Sequence, residues 1–357
     1  MRNHSSIFSF STLQELSGLR KSLGLSLAAV LAFTAAMHPL GAIINMRDPE
    51  SRIANSIRYL RSQEATRPRV LFFGSSRTMS CVDAETFARE TGMPPRAVLN
   101  VARPDMELWE TLVILRNAPS ILDSVETVFI EAIPVSFNDN AVHPRTHQRA
   151  RCPAEFATWA TWRERLRLSD PALRYELLAG HVFSLTYRRN LVRWVKIGKA
   201  ILTREPWAGD MSPPPFHADP EKAAILARDP VFQAVTVSRC HLRNYHFCKQ
   251  TAMTMQELLT LLRRRGVNVV VLHPPAQKEY YDYVVSTPQR LTEFEKYRSF
   301  MSDLAEECQT ICWEKVEDCG LDDSVLVDYG HFSRDGAIAF TKRVSDEIQA
   351  RNASQGL

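Results

Sequence analysis

Short apolar runs alternate with amphipathic segments along most of this chain after residue 69. Runs of four to six apolar residues predict buried strands, at 70–73, 97–101, 127–130, 267–272 and 310–313. Segments with helical spacing predict helices, at 83–91, 106–117, 252–265, 291–307 and 334–349. Strands that alternate with helices are typical of an α/β domain, in which helices cover both faces of a parallel sheet.

This alternation is interrupted between the third strand and the helix at 252–265. A connection this long is uncommon inside a compact domain unless it has structure of its own. We therefore predict an inserted helical subdomain or lid at 140–248, within a domain that spans residues 69–350.

A longer apolar segment lies near the beginning of the chain. Residues 22–44 contain no Asp, Glu, Lys or Arg, and a helix of that length spans the hydrocarbon core of a bilayer, about 30 Å. Arg20 and Lys21 precede it directly, which predicts a cytoplasmic N-terminus. We predict a cytoplasmic tail at 1–21, a transmembrane anchor at 22–44 and a juxtamembrane segment at 45–68. A cleaved signal peptide and a buried core helix are the alternatives, and the long leader argues against the first.

The cysteines bear on the same topology, because all seven follow the apolar segment. In an oxidising compartment some should pair, and Cys240 with Cys248, or two of the last three cysteines, are close enough in sequence. Cys240 and Cys248 also flank two histidines, but their spacing matches no standard zinc site. We predict disulfides, no metal and no cofactor.

Composition excludes several classes of protein. Apolar residues make up 45% and charged residues 24% of the chain, which is typical of a folded protein and not of a disordered one. The formal net charge is +4, too small to indicate nucleic acid as a partner.

Two short motifs supply the residue types of a nucleophilic site. Gly74, Ser75 and Ser76 come directly after the first strand. Asp328 precedes His331 by three residues, just before the last helix. A serine hydroxyl needs a histidine base, and that base needs a carboxylate to orient it. Carboxyl ends of parallel strands lie at one edge of the sheet, where such residues can meet.

These motifs resemble those of the SGNH/GDSL hydrolase superfamily, in which a Gly-Asp-Ser block follows the first strand and an Asp-x-x-His block precedes the final helix. The resemblance implies a three-layer sandwich with a mostly parallel, flavodoxin-like five-stranded sheet. It also implies that Ser76 is the nucleophile, Asp328 the orienting acid and His331 the base. The oxyanion donors that it implies are Ser76, Ala102 and Asn138, although the usual Gly and Asn of the two middle blocks are replaced or displaced here.

An anchor, divergent middle blocks and a large insertion are similar to the membrane-anchored branch that contains the alginate and peptidoglycan O-acetyltransferases. The resemblance implies an envelope-facing, serine-dependent O-acyltransferase or acyl esterase that acts on a cell-envelope polysaccharide through an acyl-serine. Its partners would be the glycan acceptor, a membrane-embedded transporter of the acyl donor, and the bilayer around the N-terminal helix. The main domain would then be periplasmic, on a single-pass protein of the inner membrane.

Two further residues are candidates for contact with substrate. Arg77 follows the proposed nucleophile and suits an anionic group, although a salt bridge to a structural carboxylate is the simpler interpretation. His273 ends the fourth strand at the same edge of the sheet, where a histidine with satisfied hydrogen bonds is the simpler interpretation. Two alternatives to an enzyme of the envelope remain: a catalytically silent domain that binds polysaccharide or scaffolds a membrane assembly, and a cytosolic hydrolase whose N-terminus is misread.

Overall fold

The computed structural model describes residues 52–140 and 230–354, together with a few helical residues between 24 and 32. Five strands form one parallel sheet in the order β2-β1-β3-β4-β5, the doubly wound order of open α/β folds. The predicted parallel α/β sheet is therefore confirmed. The strands are β1 (Val70–Phe73), β2 (Val98–Asn100), β3 (Thr127–Glu131), β4 (Asn268–His273) and β5 (Gln309–Cys312).

Helices cover both faces of this sheet. Alternate side chains of each strand point to opposite faces, so β1 contributes Leu71 and Phe73 to one core and Val70 and Phe72 to the other. In the second core, Phe72 stacks on Phe129 with ring centroids 4.2 Å apart. The helices are α1 (Arg52–Gln63), α2 (Ser76–Cys81), α3 (Ala84–Glu90), α4 (Leu108–Asn117), α5 (Pro230–His241), α6 (Lys249–Arg263), α7 (Lys278–Val285), α8 (Pro288–Glu307) and α9 (Arg334–Ser354).

Two boundaries of the predicted domain are wrong. Helix α1 lies in the predicted juxtamembrane segment, yet its apolar face is buried in the core through Ile53, Ile57 and Leu60. Helix α5 and the connection after it lie in the predicted insertion, yet Leu242 and Tyr245 are buried in the same core. Residues 141–229, the rest of that insertion, lie outside the described part of the chain.

The predicted anchor at 22–44 also lies almost entirely outside the described residues. Among the residues that the structure does describe, no helix combines the length and the apolar character needed to cross a bilayer.

The predicted disulfides are not formed among the described cysteines. Cys308 and Cys312 are four residues apart on an extended segment, about 13 Å, whereas a disulfide requires Cα atoms closer than about 7 Å. Cys248 lies beside a hydroxyl instead, because Thr251 Oγ1 is 3.2 Å from its sulfur. Among the residues that the structure describes, the free cysteines are Cys81, Cys240, Cys248, Cys308, Cys312 and Cys319.

Candidate active site

The candidate nucleophile is the first residue of α2, directly above the carboxyl end of β1. Gly74 makes the turn between the two, and a Cβ atom there would lie 2.4 Å from Thr78 Oγ1 and 2.7 Å from the Cβ of Glu131. Only glycine fits this turn. Ser75 caps the helix, because its hydroxyl accepts a hydrogen bond from the backbone N–H of Arg77 at 3.2 Å. This arrangement leaves Ser76 half-buried at the edge of the sheet.

The second motif forms a tight loop just before α9. The backbone N–H of Val327 donates to the carbonyl of His331 at 2.8 Å, which closes the loop. Inside it, Asp328 Oδ1 accepts hydrogen bonds from the N–H groups of Gly330 at 2.9 Å and His331 at 2.8 Å. An aspartate that accepts from N–H groups two and three residues later stabilises such a turn. We call residues 327–331 the catalytic loop.

The structure brings the three predicted triad residues together. His331 Nε2 lies 2.8 Å from Ser76 Oγ, and His331 Nδ1 lies 2.7 Å from Asp328 Oδ2. A carboxylate beside Nδ1 fixes the tautomer in which Nδ1 carries the proton, so Nε2 can accept the proton of the serine hydroxyl. The side chains of His331 and Asp328 are only 15% and 12% exposed. The arrangement can therefore activate a serine for attack on an acyl group.

Hydrogen bonds keep the carboxyl group of this triad ionised. Burial alone raises the pKa of Asp328, but the hydrogen bond from the His331 ring and those from the backbone N–H groups outweigh it. The pKa of Asp328 is therefore lower than its ordinary value, and the group is a carboxylate throughout the neutral range.

This lowered pKa predicts a loss of stability in acid. A carboxyl group with a lower pKa in the folded state stabilises the fold above its unfolded pKa, and the contribution is lost as pH falls through the folded pKa. We expect the difference in melting temperature between the wild type and Asp328→Asn to shrink as pH falls below about 4. Thermal unfolding at a series of pH values measures it. A difference that stays constant into that acid range would contradict the proposed charge state.

The predicted oxyanion donors are only partly in place. The N–H of Ser76 lies in the first turn of α2, where helical N–H groups have no intrahelical acceptor, and no described residue accepts from it. The N–H of Ala102 instead donates to the side chain of Asn100 at 3.1 Å, and Ala102 is fully buried. The prediction for Ala102 is therefore wrong, because a short polar side chain two residues earlier takes up its N–H.

Asn138 is likewise engaged elsewhere. Its Nδ2 donates to the carbonyl of His241 at 2.8 Å, and its Oδ1 accepts from the N–H of His246 at 3.0 Å. The side chain joins the end of the β3 region to the α5–α6 connection, and the residue is 6% exposed. A structural role thus replaces the predicted oxyanion role.

Glu131 was not predicted as part of this region. It ends β3 and is buried, and its Oε2 accepts from the N–H of Thr78 at 2.9 Å and from the Thr78 hydroxyl at 2.6 Å. The carboxylate thereby satisfies a free N–H in the first turn of α2. The sequence signal that could have identified Glu131 is its place as a charged residue at the end of a buried apolar strand.

The two candidates for substrate contact are not accessible. Arg77 is 2% exposed, and among the described residues no carboxylate lies within ion-pair distance of it. The expected salt bridge is therefore absent as well. His273 is fully buried, and burial, with the nearby charge of Arg77, holds its pKa well below the ordinary value. Its nitrogen atoms contact the Tyr281 hydroxyl at 2.7 Å and the Tyr297 hydroxyl at 3.1 Å.

An aromatic cluster flanks the triad instead. The ring of Tyr329 lies 5.7 Å from His331 in an edge contact, stacks on Tyr280 at 5.2 Å and meets His241 at 5.8 Å. Tyr280 and Tyr329 are buried, so one side of the catalytic loop is packed against other side chains. Periodicity did not identify the cluster, since its members come from three separate segments.

The described residues contain no group of three or more His, Cys, Asp or Glu side chains arranged to hold a metal ion.

No protein-family model matches this chain, and no curated protein is significantly similar to it. The likeness to the SGNH/GDSL hydrolases thus stays a prediction that rests on the two motifs.

Proposed function

We propose that this protein transfers acyl groups through an ester on Ser76, as an O-acyltransferase or acyl esterase. One observation carries the proposal: hydrogen-bond distances join Ser76 to His331 and His331 to Asp328 without a gap. A nucleophile, a base and a residue that orients the base, in this order and at these distances, are the parts that serine acyl transfer requires.

The reaction runs in two halves. Ser76 Oγ attacks the carbonyl carbon of an acyl ester while His331 Nε2 takes the hydroxyl proton. The bond to the leaving alkoxide then breaks, and His331 returns the proton to that alkoxide. In the second half, a hydroxyl group attacks the acyl-serine, His331 accepts its proton, and Ser76 Oγ receives the proton as it leaves. Asp328 stabilises the imidazolium in each half.

We further propose a sugar hydroxyl of a cell-envelope polysaccharide as the acceptor, with water as the acceptor in hydrolysis. The resemblance of the two motifs and the apolar segment at 22–44 support this acceptor and an envelope-facing domain. The aromatic cluster beside His331 supports transfer, because excluding water favours a bound hydroxyl over hydrolysis.

A serine-reactive probe tests the nucleophile. We expect a fluorophosphonate to label the full-length protein once, at Ser76, and Ser76→Ala to abolish labelling, because the hydroxyl of this half-buried serine lies 2.8 Å from Nε2 of His331. Ser302→Ala is the matched control, since it removes an exposed serine outside the site. Intact mass and peptide mapping give the readout. A wild-type protein that stays unlabelled, or labelling that survives in Ser76→Ala, would overturn the proposal.

A second function is favoured by one specific observation. Ala102 and Asn138 use their donors within the fold, and losing one oxyanion donor typically costs about 10²–10³ in rate. A domain that binds polysaccharide without turnover is consistent with that loss. Exposure of the wild type to an activated acetyl ester separates the two: an adduct on Ser76 that decays faster with added glycan indicates transfer, whereas glycan binding with no adduct indicates a binding protein.

A further inference from the structure

Arg77 is a buried cation that the triad chemistry does not use. Its side chain is almost completely buried, yet its Nε and Nη1 atoms have no hydrogen-bond partner among the described residues. Removing a charge from water costs several kcal/mol when no opposite charge compensates for it (about that order in real proteins). The guanidinium interacts electrostatically with the tyrosines around it and more weakly with Glu131, so no carboxylate neutralises it at close range. These tyrosines are Tyr280, Tyr281 and Tyr329. An apolar side chain would fill this space at lower cost, so packing alone does not account for an arginine here.

The contacts of Arg77 suggest a role for this side chain. Its backbone belongs to α2, one residue after Ser76, while its guanidinium reaches away from that helix. Nη2 donates to the carbonyl of Pro274, just after β4. The guanidinium also packs against the catalytic loop, since a Cβ atom on Gly330 would lie 3.1 Å from Nε and 3.5 Å from Cζ. One side chain thus joins the nucleophile's helix, the end of β4 and the loop.

The guanidinium of Arg77 contacts the catalytic loop at the residue that links the carboxylate of the triad to its imidazole. Gly330 lies between Asp328 and His331, and its N–H donates to Asp328 Oδ1. A shift of this backbone therefore moves both the carboxylate and the imidazole relative to the nucleophile. The loop is further joined to the segment after β4, because the N–H of Gln277 donates to the carbonyl of Tyr329 at 2.9 Å.

We propose that Arg77 is a positioning residue for the triad: its guanidinium, packed under Gly330, sets the distance between Ser76 and the catalytic loop. This proposal rests on the function proposed above and deepens it. A planar guanidinium held at its far end by Pro274 is a rigid spacer, whereas an aliphatic chain would let the loop approach or turn. Misplacement of about 1 Å in a catalytic group can cost about 10²-fold in rate.

A double-mutant cycle tests the contact itself. The backbone of Gly330 is not in the left-handed region, so Gly330→Ala strains the chain only through its neighbours, of which the Arg77 guanidinium is the nearest. Leucine ends at Cδ and lacks the two guanidinium atoms that a new Cβ would meet. We expect Gly330→Ala to slow fluorophosphonate labelling about tenfold in the wild type and to have little further effect in Arg77→Leu, which alone slows labelling about 10²-fold.

A spectroscopic readout separates positioning from general stability. The proton shared by His331 Nδ1 and Asp328 gives a low-field NMR signal whose position depends on the geometry of that hydrogen bond. We expect Arg77→Leu to shift or broaden this signal and Arg69→Met to leave it unchanged. Arg69 is the matched control, an arginine that pairs with Glu126 at the opposite end of β1.

Together, the two experiments distinguish a failure of the positioning role of Arg77 from a failure of the proposed acyl transfer. If the wild type is never labelled, the proposed function fails, but the NMR signal still reports whether Arg77 positions the loop. An unchanged signal in Arg77→Leu, or equal effects of Gly330→Ala in both backgrounds, overturns the positioning role. If Arg77→Leu does not fold, Arg77→Lys takes its place in the NMR experiment, where the same shift of the signal is expected and an unchanged signal overturns the positioning role.

Discussion

Replacing Asp328 with asparagine is expected to slow acylation of Ser76 about 10⁴-fold while the protein stays folded. Asparagine keeps an oxygen for the N–H groups of Gly330 and His331, so the turn survives. Its amide nitrogen then faces His331 Nδ1 and donates to it, which moves the ring proton to Nε2. A protonated Nε2 cannot accept the hydroxyl proton of Ser76.

The second-order rate constant of fluorophosphonate labelling measures this loss. Asp335→Asn is the matched control, because Asp335 is exposed in the first turn of α9 and lies outside the triad. Its labelling rate should equal that of the wild type. A rate for Asp328→Asn within a factor of ten of the wild type would mean that the carboxylate does not orient the base.

Gly74→Ala is expected to have the largest effect on the fold, a destabilisation of about 3 kcal/mol together with loss of labelling. The new methyl group would overlap Thr78 and Glu131, whose hydrogen bond holds the first turn of α2. The helix that begins at Ser76 must then move away from the sheet. Chemical denaturation and probe labelling measure the two effects.

Gly92→Ala controls for the loss of a glycine as such. Gly92 has a positive φ of 67° and nothing within 4 Å of an added Cβ atom, so alanine there should cost about 1 kcal/mol and leave labelling unchanged. If Gly74→Ala behaved like Gly92→Ala, the close packing of the turn would not limit this site.

Hydrophobic periodicity predicted the sheet well. Each predicted strand overlaps an observed one to within a residue or two, because fully buried parallel strands consist of continuous apolar residues. Periodicity did not predict α2 or α7. Helix α2 has only six residues, too few for a helical pattern, and its first turn is stabilised by Ser75 and Glu131.

The prediction was also wrong at α1, where a charged segment forms a helix of the domain. The segment before β1 follows the predicted anchor and carries several arginines, which favours a juxtamembrane region. Its apolar residues Ile53, Ile57 and Leu60 recur at helical spacing, and they bury one face while the arginines lie on the other. The arginines of this segment therefore drew attention away from the apolar spacing that is typical of an amphipathic helix.

At the site, the sequence predicted the residues that the structure brings together around Ser76, because their spacing and their places in the α/β order were informative. It did not predict what surrounds them. Whether the N–H of Ala102 is free depends on the rotamer of Asn100, and the surroundings of Arg77 depend on segments about 200 residues away. Such tertiary contacts leave no local pattern in the sequence.

The hydrogen bonds around Asn138 have a consequence for the integrity of the domain. Residues 138–140 are joined to residues 244–247 by backbone and side-chain hydrogen bonds. The contact between these two segments therefore does not depend on the residues that connect Asn140 to Pro230. The described domain is therefore held together at this junction by hydrogen bonds of its own, whatever sequence connects the two ends.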